Sequence, residues 1–379
     1  MIDNGQDRHC PELWQRIFIN QINHHFLAKP CCYALADNSN RVWITDANRV
    51  FERYNSAPNI LKLREENLQN RLGPGCEVCR HAEQSVGSSG RTRALERTQG
   101  SREHRLTAHV DLNLGNLCNL ACAICDPHSS TSWVPIYQRM NQQPWSLPLY
   151  QKQDRPVIND PKLFENIETL QLQGGEVFMQ SAYTDFFENL ARMRDLSQIR
   201  VVIFTNGTVV PAEAFWQHLL ACGQVELFFS IDDMGERFEY QRHGARWGRV
   251  IENVGWFQQN AGPNFTLGFH PTYSLLNIYY LGELQAFMSR EFPGLQRNWG
   301  PYHVDSGPCI ADSLPGPVRD AIIDKHAGIE ELSFLQDYIR EGDRDFTGFF
   351  DYIDRYDRAT RGCYQDTHPD FVALLRGQM

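Results

Sequence analysis

Asn116-Leu-Cys118-Asn-Leu-Ala-Cys122-Ala-Ile-Cys125-Asp126-Pro127 sets three cysteines at a C-x3-C-x2-C spacing. Just upstream, His109-Val-Asp-Leu-Asn-Leu114 places apolar side chains on alternate positions, the period of a strand. The cysteines therefore fall on the loop at that strand's C-terminal end. Three thiolates on one short loop can hold three irons of a cubane [4Fe–4S] cluster and leave the fourth iron open, whereas four would close it. A zinc loop is the alternative reading, but zinc usually takes four ligands in pairs, and only three lie here.

Outward from this stretch, strand and helix patterns alternate from about residue 106. Candidate strands are 106–114, 167–173, 199–205, 225–231, 265–272 and 298–304, and helical patterns run over 180–194, 211–222, 246–260 and 277–291. That alternation predicts βα units on a parallel sheet. Parallel barrels place their chemistry at the C-terminal ends of the strands, and the unusual residues fall there. Gly174-Gly175-Glu176 ends strand two. Two glycines let a ligand approach the backbone and the Glu can meet a cation, although alone the tripeptide is a plain turn. Thr205-Asn206-Gly207 ends strand three and is ordinarily a turn. Ser230-Ile-Asp232 ends strand four, where Ser and Asp also serve as helix caps.

The wider run from Asn116 through Cys125-Asp-Pro-His-Ser-Ser-Thr-Ser-Trp133 resembles the signature of the radical S-adenosylmethionine (SAM) enzymes, and within them the twitch-domain subgroup. The resemblance implies an α/β fold: a partial (β/α)6 barrel, a small N-terminal auxiliary Fe–S (twitch-like) domain and a helical C-terminal extension. It implies that Cys118, Cys122 and Cys125 hold the SAM-binding [4Fe–4S] cluster and that Gly174, Gly175 and Glu176 hold the ammonium of SAM's methionine part. It puts Thr205 and Asn206 near SAM's ribose or methionine groups, Ser230 and Asp232 against its polar groups, and Arg242 on its carboxylate. His270, Tyr273, His303 and Asp305 are substrate-contact candidates near the barrel mouth, with polar core residues as the equal alternative. No catalytic residue is assigned.

Five of the eleven cysteines come early: Cys10, Cys31, Cys32, Cys76 and Cys79. Ile17 to Tyr33 has some strand character, and a helix is expected over Asn59 to Arg71. Cys76-Glu-Val-Cys79 after Gly73-Pro-Gly is a local metal signal, because the short spacing lets both sulfurs face one ion. Cys10, Cys31, Cys76 and Cys79 would complete a four-thiolate site; the alternatives are zinc in the same geometry and no metal at all, and spacing cannot separate zinc from iron–sulfur. The twitch-type resemblance implies an auxiliary [4Fe–4S] cluster here, held by a Cys-Pro, a Pro-Cys-Cys and a Cys-x2-Cys-x3-Glu in that order. Cys10-Pro11, Pro30-Cys31-Cys32 and Cys76 through Glu83 match each, and the pattern favours Cys31 over Cys32. Residues 85–103 are rich in Gly, Ser and Arg, the composition of a linker.

The chain has 379 residues, enough for a large α/β domain with an appendage, and its 42% hydrophobic and 22% charged content is that of a globular protein. We expect an N-terminal domain over 1–104, the barrel over 105–308 and the extension over 309–379. The net charge of −10 argues against nucleic acid as a partner, since phosphate binding wants surplus Lys and Arg. No apolar run approaches the roughly 18 residues of a membrane helix, and no signal peptide opens the chain, so a cytoplasmic protein with no membrane partner is expected. There, cysteines serve as metal ligands or buried thiols rather than disulfides. Cys222 is expected as a buried hydrophobe, and Cys309 as a hydrogen-atom donor to a substrate radical or a residue with no role.

The resemblance implies an enzyme that cleaves SAM reductively to a 5′-deoxyadenosyl radical, which takes a hydrogen atom from a substrate. It implies an electron donor such as flavodoxin or ferredoxin. Peptide or protein side-chain modification is the favoured outcome, with oxidation or rearrangement of a sugar, nucleoside or other small molecule as the alternative. A zinc-stabilised binding module without catalysis is the reading from another class, and it leaves Gly174-Gly175-Glu176 unexplained.

Overall fold

Among the described residues the sheet carries nine strands, neighbours in the order β3-β2-β1-β4-β5-β6 in the first unit and β8-β9 in the second. They are β1 (Arg16–Ile22), β2 (His25–Lys29), β3 (Val42–Ile44), β4 (His109–Asn113), β5 (Thr169–Gln173), β6 (Arg200–Thr205), β7 (Gln224–Phe229), β8 (Phe265–Phe269) and β9 (Gln296–Arg297). The computed structural model describes residues 8–35, 37–73, 75–86, 89–100, 105–145, 156–297, 304 and 307–378. The chain divides into two units: the first takes 1–115, 148–203 and 212–225, the second 116–147, 204–211 and 226–379.

In the first unit β4 pairs in parallel with β5, His109 opposite Thr169, and β5 in parallel with β6. Val110 and Leu112 on β4, Leu170 and Leu172 on β5, and Val201 and Ile203 on β6 are all buried. β-Branched and leucine side chains filling a parallel sheet are what βα connections require, since helices cover its faces. The helix Ser181–Met193 between β5 and β6 presents Tyr183, Phe186, Phe187 and Leu190 inward. Each fully buried apolar side chain of that size stabilises by about 1.5–3 kcal/mol. Further helices, Glu213–Ala221, Trp247–Asn260 and Leu281–Glu291, alternate with the later strands. The molecule is thus α/β, a partial parallel barrel with added helices.

β1 and β2 form an antiparallel hairpin in which Ile22 opposes His25, and Asn23 takes a φ of 54° in its turn. β1 also pairs in parallel with β4, Arg16 opposite His109, so the strand-like stretch after Ile17 extends the parallel sheet.

One sequence expectation needs correction. Residues 85–103 are not all linker, because Gly90–Arg97 is helical. Ser89 and Thr92 form a reciprocal capping box at its start, which satisfies two otherwise orphaned backbone donors. Its inward face is Arg91 and Ala94, so there was no apolar stripe to read. The sixth strand is seen only as Gln296–Arg297, paired to Gly268 and Phe269 of β8; 298–303 lie outside the described residues.

In the second unit the tail is helical as expected, with Gly316–Lys325, Thr347–Thr360 and Pro369–Arg376. Among the described residues no helix is long and apolar enough to cross a membrane.

Candidate functional site

The three-cysteine loop follows β4 and belongs to the second unit. Its backbone is held by the polar residues immediately downstream. The Ser132 hydroxyl donates to the Cys118 carbonyl (2.8 Å) and the Trp133 indole N–H to the Cys122 carbonyl (2.7 Å). The Ser130 hydroxyl donates to the Leu120 carbonyl, and the Thr131 hydroxyl oxygen accepts the Cys118 N–H. Ala121 and Ala123 donate their N–H groups to the carbonyls of His243 (2.9 Å) and Gln241 (2.7 Å). Their own carbonyls accept the phenol hydroxyls of Tyr356 (2.8 Å) and Tyr352. The loop is fixed by hydrogen bonds on both sides, which leaves the cysteine side chains as its adjustable part.

Burial pushes the Cys122 thiol up to about 12, and the charges of Cys118 and Asp232 push the same way. Burial and then Cys122 also raise Cys125. Thiols raised in this way stay protonated unless a cation compensates them, and a bound metal does so. Donors already face the sulfurs. Leu120 N–H lies 3.5 Å and Asn206 Nδ2 3.7 Å from Cys118 Sγ, and Arg242 Nη1 lies 3.9 Å from Cys122 Sγ. Converging N–H groups suit anionic thiolates, so this donor set fits an iron–sulfur cluster.

The strand-end residues of this unit gather around the same loop. Thr205, Asn206, Asp232 and Arg242 are buried, and Ser230 donates its N–H to the Thr205 carbonyl (2.8 Å). Arg242 donates from Nε (2.9 Å) and Nη2 (2.7 Å) to Asp232 Oδ2, while Asp232 Oδ1 accepts the Thr272 N–H (2.8 Å). Asn277 Nδ2 bonds the carbonyls of Asp232 (3.0 Å) and Thr272 (2.9 Å). Gly174-Gly175-Glu176 belongs to the first unit. Gly174 has φ 105°, and a Cβ there would meet Asn113 Oδ1 at 2.3 Å and the Gly115 carbonyl at 2.5 Å. Close approach of the end of β4 therefore demands this glycine. The buried Glu176 carboxylate accepts the Phe178 N–H at 3.1 Å, capping a short 3-10 turn.

Residues 112–275 match the family model of the Radical SAM superfamily. This stretch is a radical SAM domain. It contains the cysteine loop together with Gly174, Gly175, Glu176, Thr205, Asn206, Ser230, Asp232 and Arg242. No curated protein matches the sequence. Among solved structures, native anSMEcpe with bound AdoMet and Cp18Cys peptide is 17% identical over 50% of this chain and 49% of its own, at a TM-score of 0.34. SuiB of Streptococcus suis bound to precursor peptide SuiA is 11% identical over 94% of this chain and 79% of its own, at a TM-score of 0.38. The chain thus covers about half the length of the former.

Ahead of the radical SAM domain, Cys10, Cys31, Cys76 and Cys79 line one pocket in the first unit. Cys10 precedes the short helix Glu12–Gln15, Cys31 follows β2, and Cys76 and Cys79 open the helix Glu77–Val86. Arg16 and Arg91, both buried, line it too. Arg91 donates to both Glu83 oxygens (2.8 and 2.6 Å) and to the His9 carbonyl (3.1 Å). Glu83 of the Cys-x2-Cys-x3-Glu run is therefore the anchor of a cavity arginine. Burial pushes Cys76 up to about 11 and raises Cys10 and Cys31. Among the described residues no three His, Cys, Asp or Glu side chains converge as the ligands of one metal ion. Cys10, Cys31, Cys76 and Cys79 share the lining of this pocket. Cys32 does not line the pocket, and the charge of Asp111 adds to the burial that raises its thiol. All eleven cysteines are free.

The remaining candidates divide. His270 packs edge-on to Phe204 at 5.0 Å, and burial, then Arg242, lowers its imidazole to about 4. Tyr273 is fully buried against Phe334 and Tyr338, which makes it a core aromatic. His303 and Asp305 lie outside the described residues. Cys222 and Cys309 are buried, and burial pushes the Cys309 thiol up to about 12. Sequence reasoning missed Tyr352 and Tyr356, whose signal was the aromatic stripe of their helix.

Proposed function

We propose that this chain is a radical SAM enzyme that abstracts a hydrogen atom from a peptide or protein side chain. The observation that carries the proposal is the fixed three-thiol loop, with donors facing its sulfurs, inside a domain that matches the Radical SAM superfamily. Cys118, Cys122 and Cys125 would hold a [4Fe–4S] cluster with one open iron, which when bound supplies the electron that splits SAM into methionine and a 5′-deoxyadenosyl radical. This chain's residues bind and orient. Thr205, Asn206, Ser230, Asp232 and Arg242 offer amide, hydroxyl, carboxylate and guanidinium groups to SAM's polar end, and Gly174, Gly175 and Glu176 would take its ammonium. Burial of Glu176, Thr205, Asn206, Asp232 and Arg242 keeps water from them, which strengthens each contact.

Cys10, Cys31, Cys76 and Cys79 would hold an auxiliary [4Fe–4S] cluster in a twitch-like domain over 1–104, ahead of the barrel over 105–308 and the extension over 309–379. Four thiolates leave it no open iron for substrate. The peptide substrate rests on the twitch-type wording of both cysteine motifs, and an electron donor such as flavodoxin or ferredoxin would reduce the SAM-binding cluster. A cytoplasmic location accords with this chemistry, which needs reduced thiols.

The test is anaerobic reconstitution with iron and sulfide, followed by SAM and a strong reductant, with 5′-deoxyadenosine as the readout. We expect nucleoside from the unmutated protein and none after Cys118, Cys122 and Cys125 are all replaced by Ala. Turnover retained in the triple variant, or stoichiometric zinc in a colourless protein, would refute the proposal.

A further inference from the structure

We infer that Asn206 and Arg242 act on the cluster's sulfurs: they hydrogen-bond to Cys118 and Cys122 and thereby raise the reduction potential of the cluster that the loop would hold. The inference rests on the proposed radical SAM reading and assigns the two residues a role that exists before SAM binds.

The geometry of each donor is settled by its other bonds. Asn206 Oδ1 accepts both the Thr208 N–H (2.9 Å) and the Thr208 hydroxyl (2.6 Å). That fixes which end of the amide is the acceptor and turns Nδ2 toward Asn119 Oδ1 (3.1 Å) and Cys118 Sγ (3.7 Å). Arg242 is fixed in the same way. Its Nε and Nη2 are committed to Asp232, which is held in turn by the Thr272 N–H. The rigid guanidinium fork then carries Nη1 to 3.9 Å from Cys122 Sγ. Asn206 is 7% and Arg242 8% exposed, so water competes little for either donor.

Iron–sulfur potentials depend on hydrogen bonds to the sulfurs, on net charge and on exposure. A donor that faces a cluster sulfur stabilises the more negative, reduced state more than the oxidised one. The two sulfurs differ from the third, since Cys125 Sγ lies 3.7 Å from the Asp126 carbonyl, an acceptor. A residue that served only to grip SAM would leave the SAM-free potential where it was.

The experiment is a potentiometric titration, followed by electron paramagnetic resonance, of reconstituted full-length protein without SAM. Unmutated protein is compared with Asn206→Ala and with Arg242→Lys, which keeps a cation for Asp232 and removes the fork. At a fixed poise we expect the reduced-to-oxidised ratio to fall about tenfold in each variant, equivalent to about 59 mV for one electron. An unchanged potential in the loaded variants overturns the inference and leaves the radical SAM reading standing. Unmutated protein that takes up no iron overturns both. A second measurement needs no variant: 15N-arginine labelling of the unmutated protein should give nitrogen hyperfine coupling in the reduced cluster, and its absence overturns the Arg242 contact.

Discussion

Cys31 and Cys32 are neighbours in the chain but not in surroundings. Cys31 lines the four-thiol pocket, whereas Cys32 does not, and the Cys32 carbonyl accepts from Lys29 Nζ (3.0 Å). Burial pushes the Cys32 thiol up to about 12, with Asp111 adding to the rise, so it stays protonated. Cys31→Ala should therefore cost the auxiliary site its iron, about half of the total, while Cys32→Ala keeps it. Iron analysis of the two purified variants decides, and equal iron in both would sink the assignment. Spacing could not separate the two residues, because which of them turns inward is set by how the chain leaves β2. Gly174 shows the converse: a glycine was legible, but the crowding by Asn113 and Gly115 that requires it comes from a strand about 60 residues earlier.

Between elements, the contact of most consequence joins the helix Thr347–Thr360 to the cysteine loop. Tyr352 and Tyr356 stand one turn apart with rings stacked at 6.1 Å and 18°, and their hydroxyls reach the carbonyls of Ala123 and Ala121. Trp133, bonded to the Cys122 carbonyl, packs on Tyr356 at 5.8 Å. The helix thus restrains the backbone between the cysteines. Tyr352→Phe and Tyr356→Phe each delete one hydroxyl and keep the ring. Each should lose about 1 kcal/mol of restraint and release iron to a chelator about fivefold faster, with helical circular dichroism unchanged. Release at the unmutated rate would show that the phenols serve packing alone. The aromatic stripe was visible in sequence, and Phe349 and Ile353 on it are core residues. What was not visible is the destination of its hydroxyls, since helix and loop are some 230 residues apart. No local period records such a contact.

At the scale of the molecule, the βα alternation was legible because each parallel strand is a short apolar run buried on both faces, as Val201, Val202 and Ile203 are on β6. The parallel pairing of β1 with β4 was not, because register over 93 positions, Arg16 to His109, depends on buried charge as well as on apolar period. Arg16 donates to both oxygens of Asp111 (2.8 and 2.6 Å) at a wholly buried site on β4, a pairing that strand patterns do not report. The two cysteine sets also part along the units, with Cys10, Cys31, Cys76 and Cys79 in the first and Cys118, Cys122 and Cys125 in the second. Each set draws its backbone support from its own unit, so emptying one should leave the other loaded. With two cubane clusters the unmutated protein carries about eight irons. Replacing the four early cysteines by Ala should leave about half of them and retain 5′-deoxyadenosine formation from SAM and reductant. Replacing the three later ones should also leave about half the iron but form no nucleoside. Iron, sulfide and nucleoside measured on the same three preparations separate these outcomes, and a single substitution set that strips all the iron would mean that the sites do not load independently.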